Sequence, residues 1–146
     1  INGKMSEVNA AFGLLQLKHM PQVMQRRTEI ATHYRQQLAN VPGITCLPQG
    51  VQTVANHSYF PILVGPAYPL SRDELYEHLK QNGIHARRYF YPLITDFPMY
   101  RGLPSTASTH VATAQQASEQ ILCLPIYPGL SDVHQETIIH SILKVG

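Results

Sequence analysis

Charged side chains are scarce in this chain of 146 residues: 14% are Asp, Glu, Lys or Arg, whereas 44% are hydrophobic. Globular domains average about 25% charged residues, so we expect another domain or subunit to cover part of this surface. The net charge of +2 is too small to indicate nucleic acid or an anionic membrane as a partner. The apolar runs fall far short of the ~20 residues that span a bilayer, so we predict no membrane segment.

Motifs for several kinds of chemistry are also missing. No two of the eight His stand three or four positions apart and no Cys-x-x-Cys occurs, so the spacing predicts no metal site. Neither standard glycine-rich phosphate loop is present. Cys46 and Cys123 lie in the apolar stretches ITCLP and ILCLP, which predicts buried free thiols in a reducing compartment.

Local signals predict helices alternating with a few strands. Helices are predicted at about 6–19, 21–40, 71–81, 111–120 and 131–143, and strands at 57–64, 84–91 and 121–128. Pro21 suits the first turn of the second helix, and Ser71 with Glu74 forms a capping box. Pro61 lacks a backbone donor, which predicts an edge or a bulge for its strand. The order indicates an α+β fold with a small antiparallel or mixed sheet.

The first predicted helix is apolar on most of its sides. Val8, Phe12 and Leu15 form one stripe, and Leu14 and Leu17 lie on another face. A helix of this kind must be covered on most sides, which a small domain cannot do by itself. We therefore expect a partner subunit or domain to cover it.

Two stretches could bind phosphate. In INGKMSE, free N–H groups and the helix dipole favour an anion near Asn2, although an ordinary capped turn explains the composition better. In HARRYFYP, guanidinium groups suit phosphates and aromatic rings suit bases and sugars, although a surface strand is an equally good interpretation. Arg87 and Arg88 would point to opposite faces of a strand, so at most one serves any single pocket, and which one stays open.

Five stretches together resemble a known family. NGKMSEVNAAFGLLQL, RRTEIATHYRQQL, SYFPILV, ARRYFYPL and ILCLPIYPGLS resemble, in this order, the C-terminal part of the DegT/DnrJ/EryC1/StrS family. Its members are pyridoxal-phosphate (PLP)-dependent nucleotide-sugar aminotransferases of the aspartate-aminotransferase-like, type I fold. The resemblance implies that residues 1–41 are interface and linking helices, that 42–146 form the C-terminal small domain, and that a large domain precedes them. It also implies a cytoplasmic homodimer formed through residues 6–20.

The resemblance implies a chemistry for the full-length protein. PLP would take an amino group from glutamate and pass it to a nucleotide-linked keto-6-deoxy sugar, with dTDP as the nucleotide. Asn2 matches the residue that reaches the cofactor phosphate of the neighbouring subunit, and Arg87, Arg88 and Tyr89 are expected near the sugar or its diphosphate. The Schiff-base lysine belongs to the large domain and is not Lys4. The fragment alone is therefore expected to hold no PLP and to be inactive.

Two other functions stay open. Relatives of the same fold act as dehydratases or regulators, and a Schiff-base lysine in the preceding sequence would separate an aminotransferase from these. A free-standing α+β nucleotide- or RNA-binding module could instead use the Arg-aromatic strand. RRYFY lacks the glycines of the RNA-recognition signature, so we predict no nucleic-acid partner, and salt-dependent RNA binding would favour the module.

Overall fold

The computed structural model of the protein describes residues 3–48 and 55–145. Within these ranges the elements, in chain order, are α1 (Glu7–Leu38), β1 (Ile44–Cys46), β2 (Phe60–Val64), α2 (Arg72–Gln81), α3 (Ser108–Gln120), β3 (Ile121–Leu124) and α4 (Asp132–Leu143). Two short 3-10 helices, Ile94–Asp96 and Pro104–Thr106, separate α2 from α3. Helices packed on a small sheet confirm the α+β prediction.

The sheet has the order β1-β2-β3 and is antiparallel throughout. Ile44 pairs with Val64, and Ile62 pairs with Leu122. Alternate residues of β2 are buried, as expected where successive side chains point to opposite faces. Of the two predicted sheet types, antiparallel is therefore correct.

Pro61 lies in the central strand, so its predicted position at an edge or bulge is wrong. Its partner across β3 is Cys123, whose N–H and C=O both bond to Arg87 on the far side, at 2.8 and 3.0 Å. In an antiparallel ladder this makes Pro61 and Cys123 a non-hydrogen-bonded pair. The proline nitrogen faces away from β3, beyond the last residue of β1, so no bond to β3 is lost.

Three helices bury one face of the sheet. The core consists of large apolar side chains that are almost inaccessible to water, and its most completely buried members are Tyr34, Phe60, Ile30, Leu38, Ile62, Leu75, Leu79, Leu122, Ile139 and Ile142. Fully burying one such side chain stabilises a fold by about 1.5–3 kcal/mol. These residues come from α1, α2 and α4 as well as β2 and β3, so the core unites the helices with the sheet.

One continuous helix replaces the two that were predicted on either side of Pro21. Ser6 caps it, and the Ser6 hydroxyl accepts a hydrogen bond from the Asn9 N–H at 3.3 Å. A proline inside a helix removes one backbone bond and kinks the helix or ends it. Here the helical turns on both sides persist, and the 32 residues of α1 span about 48 Å at 1.5 Å per residue.

The two halves of α1 have different surroundings. From residue 7 to residue 22 every residue is exposed except the half-buried Ala10 and Gly13. Phe12 keeps 63% and Leu17 keeps 65% of its surface accessible. The later residues Ile30, Tyr34 and Leu38 are fully buried. The first half therefore extends beyond the core and leaves its apolar side chains bare.

The predicted caps of α2 and α4 are confirmed. The Ser71 hydroxyl accepts from the Glu74 N–H at 3.3 Å, and the Glu74 carboxylate accepts from the Ser71 N–H at 2.8 Å. Ser131 caps α4 by accepting from the His134 N–H at 3.2 Å. Reciprocal bonds of this kind satisfy backbone donors that the first helical turn leaves without partners. None of the helices in the described ranges has the length and hydropathy of a membrane-crossing segment.

Candidate functional site

The predicted strand over 84–91 is reduced to a single bridge between Arg87 and Cys123. On either side of this bridge the segment has no regular ladder, and Tyr89 and Phe90 form a turn. The ring of Tyr91 then lies against Arg72 of α2, and the guanidinium carbon of Arg72 is 4.7 Å from the centroid of that ring. The strand prediction fails because these contacts with a helix draw the segment away from β3 after one residue.

Arg87 and Arg88 do project to opposite sides, as predicted from their adjacency. Arg88 is directed at α2, where its Nη1 lies 2.9 Å from Oδ1 of Asp73. Its guanidinium also stacks over the Tyr76 ring at 4.5 Å and the Tyr91 ring at 5.3 Å. Both the charge and the flat face of Arg88 are therefore engaged within the chain.

Two arginines hold Asp73 ionised. Burial of the carboxylate raises its pKa, but the hydrogen bond from Arg88 and the charges of Arg72 and Arg88 outweigh this and leave the pKa below its usual value. The Arg72 Nε lies 2.8 Å from the same Asp73 oxygen without the alignment of a hydrogen bond. Asp73 is therefore a fixed negative charge at neutral pH.

Arg87 is exposed and belongs to a different cluster. Its Nη1 lies 3.4 Å from the Tyr89 hydroxyl, and its guanidinium is 5.9 Å from the centre of that ring. The ring of Tyr59 lies 4.9 Å from the ring of Tyr89. A side-chain hydrogen bond with Tyr59, and then one with Arg87, lowers the pKa of Tyr89. Within the described ranges, no carboxylate forms an ion pair with Arg87.

A cavity of about 730 Å³ opens beside this cluster. Its wall combines the residues just before β2, the segment that follows α2, the carboxyl end of β3 with the loop after it, and the first half of α4. The lining residues are Ser58, Tyr59, Asn82, Gly83, Ile84, His85, Arg87, Cys123, Leu124, Pro125, Ile126, Tyr127, Leu130, His134, Thr137 and Ile138. Ligand sites in proteins commonly measure 300–1,000 Å³ and have mostly apolar walls with a few polar groups. Of the predicted site residues that the structure describes, Arg87 lines it, whereas Arg88 and Tyr89 do not.

The remaining predicted site residues have different positions. Tyr89 touches Arg87 and Tyr59 without lining the cavity. Arg88 lies on the side of α2, and Asn2 lies outside the described residues. The sequence reasoning missed Tyr59 and Asp73, because their partners Tyr89 and Arg88 stand far from them in the chain.

The cysteines differ in burial. Cys123 is buried, as predicted, whereas Cys46 is only half-buried, and both are free thiols. Burial raises the pKa of each thiol, and the nearby Arg35 charge only partly opposes this for Cys46. A raised pKa makes the reactive thiolate scarce at neutral pH. Neither cysteine is therefore suited to nucleophilic catalysis.

A model of the DegT/DnrJ/EryC1/StrS aminotransferase family matches residues 1–143 of this chain. The chain belongs to that family. The dTDP-4-amino-4,6-dideoxy-D-glucose transaminase of Escherichia coli is 48% identical over 145 residues, which cover 99% of this chain and 38% of the relative. The resemblance that the sequence motifs suggested is thereby confirmed.

Solved structures of family relatives have the same fold. Helicobacter pylori PseC, an aminotransferase involved in the biosynthesis of pseudoaminic acid, superposes with a TM-score of 0.84 at 28% identity, covering 99% of this chain and 38% of PseC. A Streptococcus pneumoniae protein described as a sugar aminotransferase, in its PLP-form, gives 0.79 at 25% identity, covering 97% of this chain and 36% of that one. The fold is that of the C-terminal part of type I PLP enzymes, and the chain spans less than two fifths of these relatives.

PLP is the cofactor of the full-length family enzymes, but this cavity does not fit it. A PLP site needs a lysine amine for the Schiff base. Among the described residues that line the cavity there is no lysine. Over residues 3–48 and 55–145 there is also no group of three or more side chains suited to a metal. This cavity is therefore a candidate binding surface for a ligand other than the cofactor.

Proposed function

We propose that this chain is the C-terminal part of a PLP-dependent aminotransferase that aminates a dTDP-linked keto-6-deoxy sugar, with glutamate as the amino donor. Family membership and the name of the 48% identical relative support the proposal. Residues 1–41 would be the interface and linking helices, and 42–146 the small domain. The enzyme would be cytoplasmic, because a reducing compartment keeps Cys46 and Cys123 as thiols. It would be a homodimer, because the large apolar side chains of residues 6–20 are exposed.

Arg87 would bind the diphosphate of the nucleotide sugar, next to Tyr89. The observation that carries this role is the position of Arg87, exposed at the cavity and without a carboxylate partner in the described part of the chain. Arginine binds phosphate oxygens through two parallel N–H bonds. The apolar wall of the cavity would exclude water and strengthen that interaction. Asn2 would reach the cofactor phosphate of the neighbouring subunit.

The test is to substitute Arg87→Ala in the full-length enzyme and to measure each half-reaction by stopped flow. Losing a hydrogen bond to a charged group costs about 1.5–3 kcal/mol, so the Kd of the nucleotide sugar should rise about ten- to a hundredfold. The glutamate half-reaction should be spared, because glutamate has no diphosphate.

Lys80→Ala is the matched control, since it removes an exposed positive charge from α2 that does not line the cavity. It should leave both half-reactions unchanged. Equal effects of the two substitutions, or an Arg87→Ala defect confined to the glutamate half-reaction, would contradict the proposed role of Arg87.

A further inference from the structure

Asp73 joins Arg88 to the most deeply anchored arginine of the domain. One carboxylate oxygen of Asp73 lies 2.9 Å from Arg88 Nη1 and 2.8 Å from Arg72 Nε. Arg72 is only 4% exposed, and its Nη1 donates to the carbonyls of Ser118 at 2.8 Å and Ile121 at 3.1 Å. Asp73 therefore connects Arg88 to the junction of α3 and β3.

Aromatic contacts complete this anchor. The ring of Tyr91 is in contact with two guanidinium groups, 4.7 Å from Arg72 and 5.3 Å from Arg88. Tyr76 of α2 supplies a second ring beneath Arg88, at 4.5 Å. Arginine stacks well on aromatic faces, whereas lysine cannot reproduce both the stacking and the planar fork. Residues 88–91 are thus attached to α2 by charge and by stacking.

Anchoring Arg88 determines the direction of Arg87. The N–H and C=O of Arg87 are bonded to Cys123 at 3.0 and 2.8 Å, so its backbone cannot rotate freely. Neighbouring side chains of an extended segment point to opposite sides. Because Arg88 points towards α2, the side chain of Arg87 points towards the cavity.

We propose that Asp73 is a positioning residue for the nucleotide-sugar site, holding Arg87 towards the cavity through its ion pair with Arg88. The inference rests on the proposed function of Arg87. Asp73 would not touch the substrate. Its effect on binding would pass through Arg87, so it should disappear when Arg87 is absent.

The test is a double-mutant cycle in the full-length holoenzyme, with dTDP as the probe and its Kd as the measurement. Asp73→Asn should weaken dTDP binding by about tenfold, because an Arg87 displaced from the cavity loses part of its charge-assisted bonding to the diphosphate. In an Arg87→Ala background, Asp73→Asn should change the Kd by less than about twofold. The two substitutions should be non-additive because Asp73 acts on binding only through Arg87. Asp73→Glu, which restores the charge, should recover most of the affinity.

Two further variants separate positioning from general stability. Glu77→Gln removes a carboxylate one turn along α2, whose partner Lys80 lies 3.8 Å away on the surface, and it should leave the Kd unchanged. Arg88→Gln removes the other charge of the same ion pair, and it should reproduce the Asp73→Asn pattern even if Asp73→Asn folds poorly. A merely structural role would lower the melting temperature and the affinity alike in both Arg87 backgrounds.

The outcomes distinguish this inference from the function on which it rests. If Arg87→Ala leaves the dTDP Kd unchanged, the proposed role of Arg87 fails and the positioning role fails with it. If Arg87→Ala weakens binding but Asp73→Asn does not, only the positioning role is overturned. The same holds if Asp73→Asn weakens binding by an equal factor with and without Arg87.

Discussion

Arg87 and Arg88 are adjacent in the chain, yet their side chains lie in separate environments. Arg88 forms an ion pair with Asp73 at 2.9 Å, whereas Arg87 lies at a cavity of about 730 Å³. One arginine is thus used for structure and the other is available for a ligand. The two arginine side chains have different surroundings because successive side chains of an extended segment point in opposite directions.

Arg87→Lys tests whether the shape of the guanidinium matters as well as its charge. An ammonium group is a point charge that cannot form the two parallel bonds of arginine to a diphosphate. We expect the Michaelis constant of the nucleotide sugar to rise by about tenfold, since one such bond to a charged group is worth about 1.5–3 kcal/mol. Steady-state kinetics of the full-length enzyme measure this, and wild-type values for Arg87→Lys would show that charge alone suffices.

Phe12→Asp tests the exposed half of α1. We expect the chain to dimerise or aggregate through residues 6–20, because Phe12, Leu14 and Leu17 remain more than 60% accessible and bare apolar patches favour association. Sedimentation velocity should show Phe12→Asp shifted towards monomer.

The control for Phe12→Asp is Gln22→Asp, which adds the same charge at an exposed position of α1 outside that segment. It should associate as the wild type does. A wild-type chain that remains monomeric at high concentration, with Phe12→Asp no different, would argue against this surface as an interface.

Asn2→Ala tests the proposed contact with the cofactor phosphate in the full-length enzyme. A hydrogen bond to a charged group contributes about 1.5–3 kcal/mol, so the Kd of PLP should rise about ten- to a hundredfold. Cofactor absorbance during dialysis against buffer without PLP measures retention independently of activity. Asn40→Ala, at an exposed position after α1 and outside residues 6–20, is the control, and an unchanged Kd for Asn2→Ala would remove Asn2 from the site.

Because Tyr68 is buried, we expect the free energy of unfolding to fall in alkaline solution. Burial raises the pKa of Tyr68 to about 12, and the phenol of the unfolded chain ionises near pH 10. The folded state keeps a proton that the unfolded chain loses, so this stability is complete below about pH 10 and declines as the pH approaches 12. At 1.36 kcal/mol per pKa unit the full contribution is roughly 3 kcal/mol, and urea unfolding between pH 8 and 11.5 should show a loss of about 2 kcal/mol of it.

Tyr68→Phe should be less stable at neutral pH and less sensitive to alkali. Its missing hydroxyl leaves the Ile142 carbonyl, 2.7 Å away in the wild type, without that bond, at a cost of about 1 kcal/mol. Tyr100→Phe changes an exposed ring and should follow the wild type at every pH. If the free energy of unfolding of Tyr68→Phe fell with pH as much as that of the wild type, the effect would belong to other groups.

The elements that sequence predicted well depend on local interactions. Ser71 and Glu74 are three residues apart, as are Ser131 and His134, so their caps form within a single helical turn. Ile30, Tyr34 and Leu38 repeat at helical spacing and mark the buried face of α1. Arg87, Arg88 and Tyr89 could be named because arginine and tyrosine have recognisable chemistry and because the surrounding stretch resembles a family motif.

The features that the sequence did not predict depend on contacts between distant parts of the chain. Pro61 lies in a central strand because Cys123 bonds to Arg87 and requires no donor from Pro61. The segment after Arg87 leaves the sheet because Arg72 and Asp73 of α2 hold Tyr91 and Arg88. Local sequence does not specify such distant partners. A proline or an Arg-aromatic stretch has the same local pattern whatever it contacts in the folded chain. The sequence therefore left open which of the two adjacent arginines faces the cavity, and packing of Arg88 against α2 decided it.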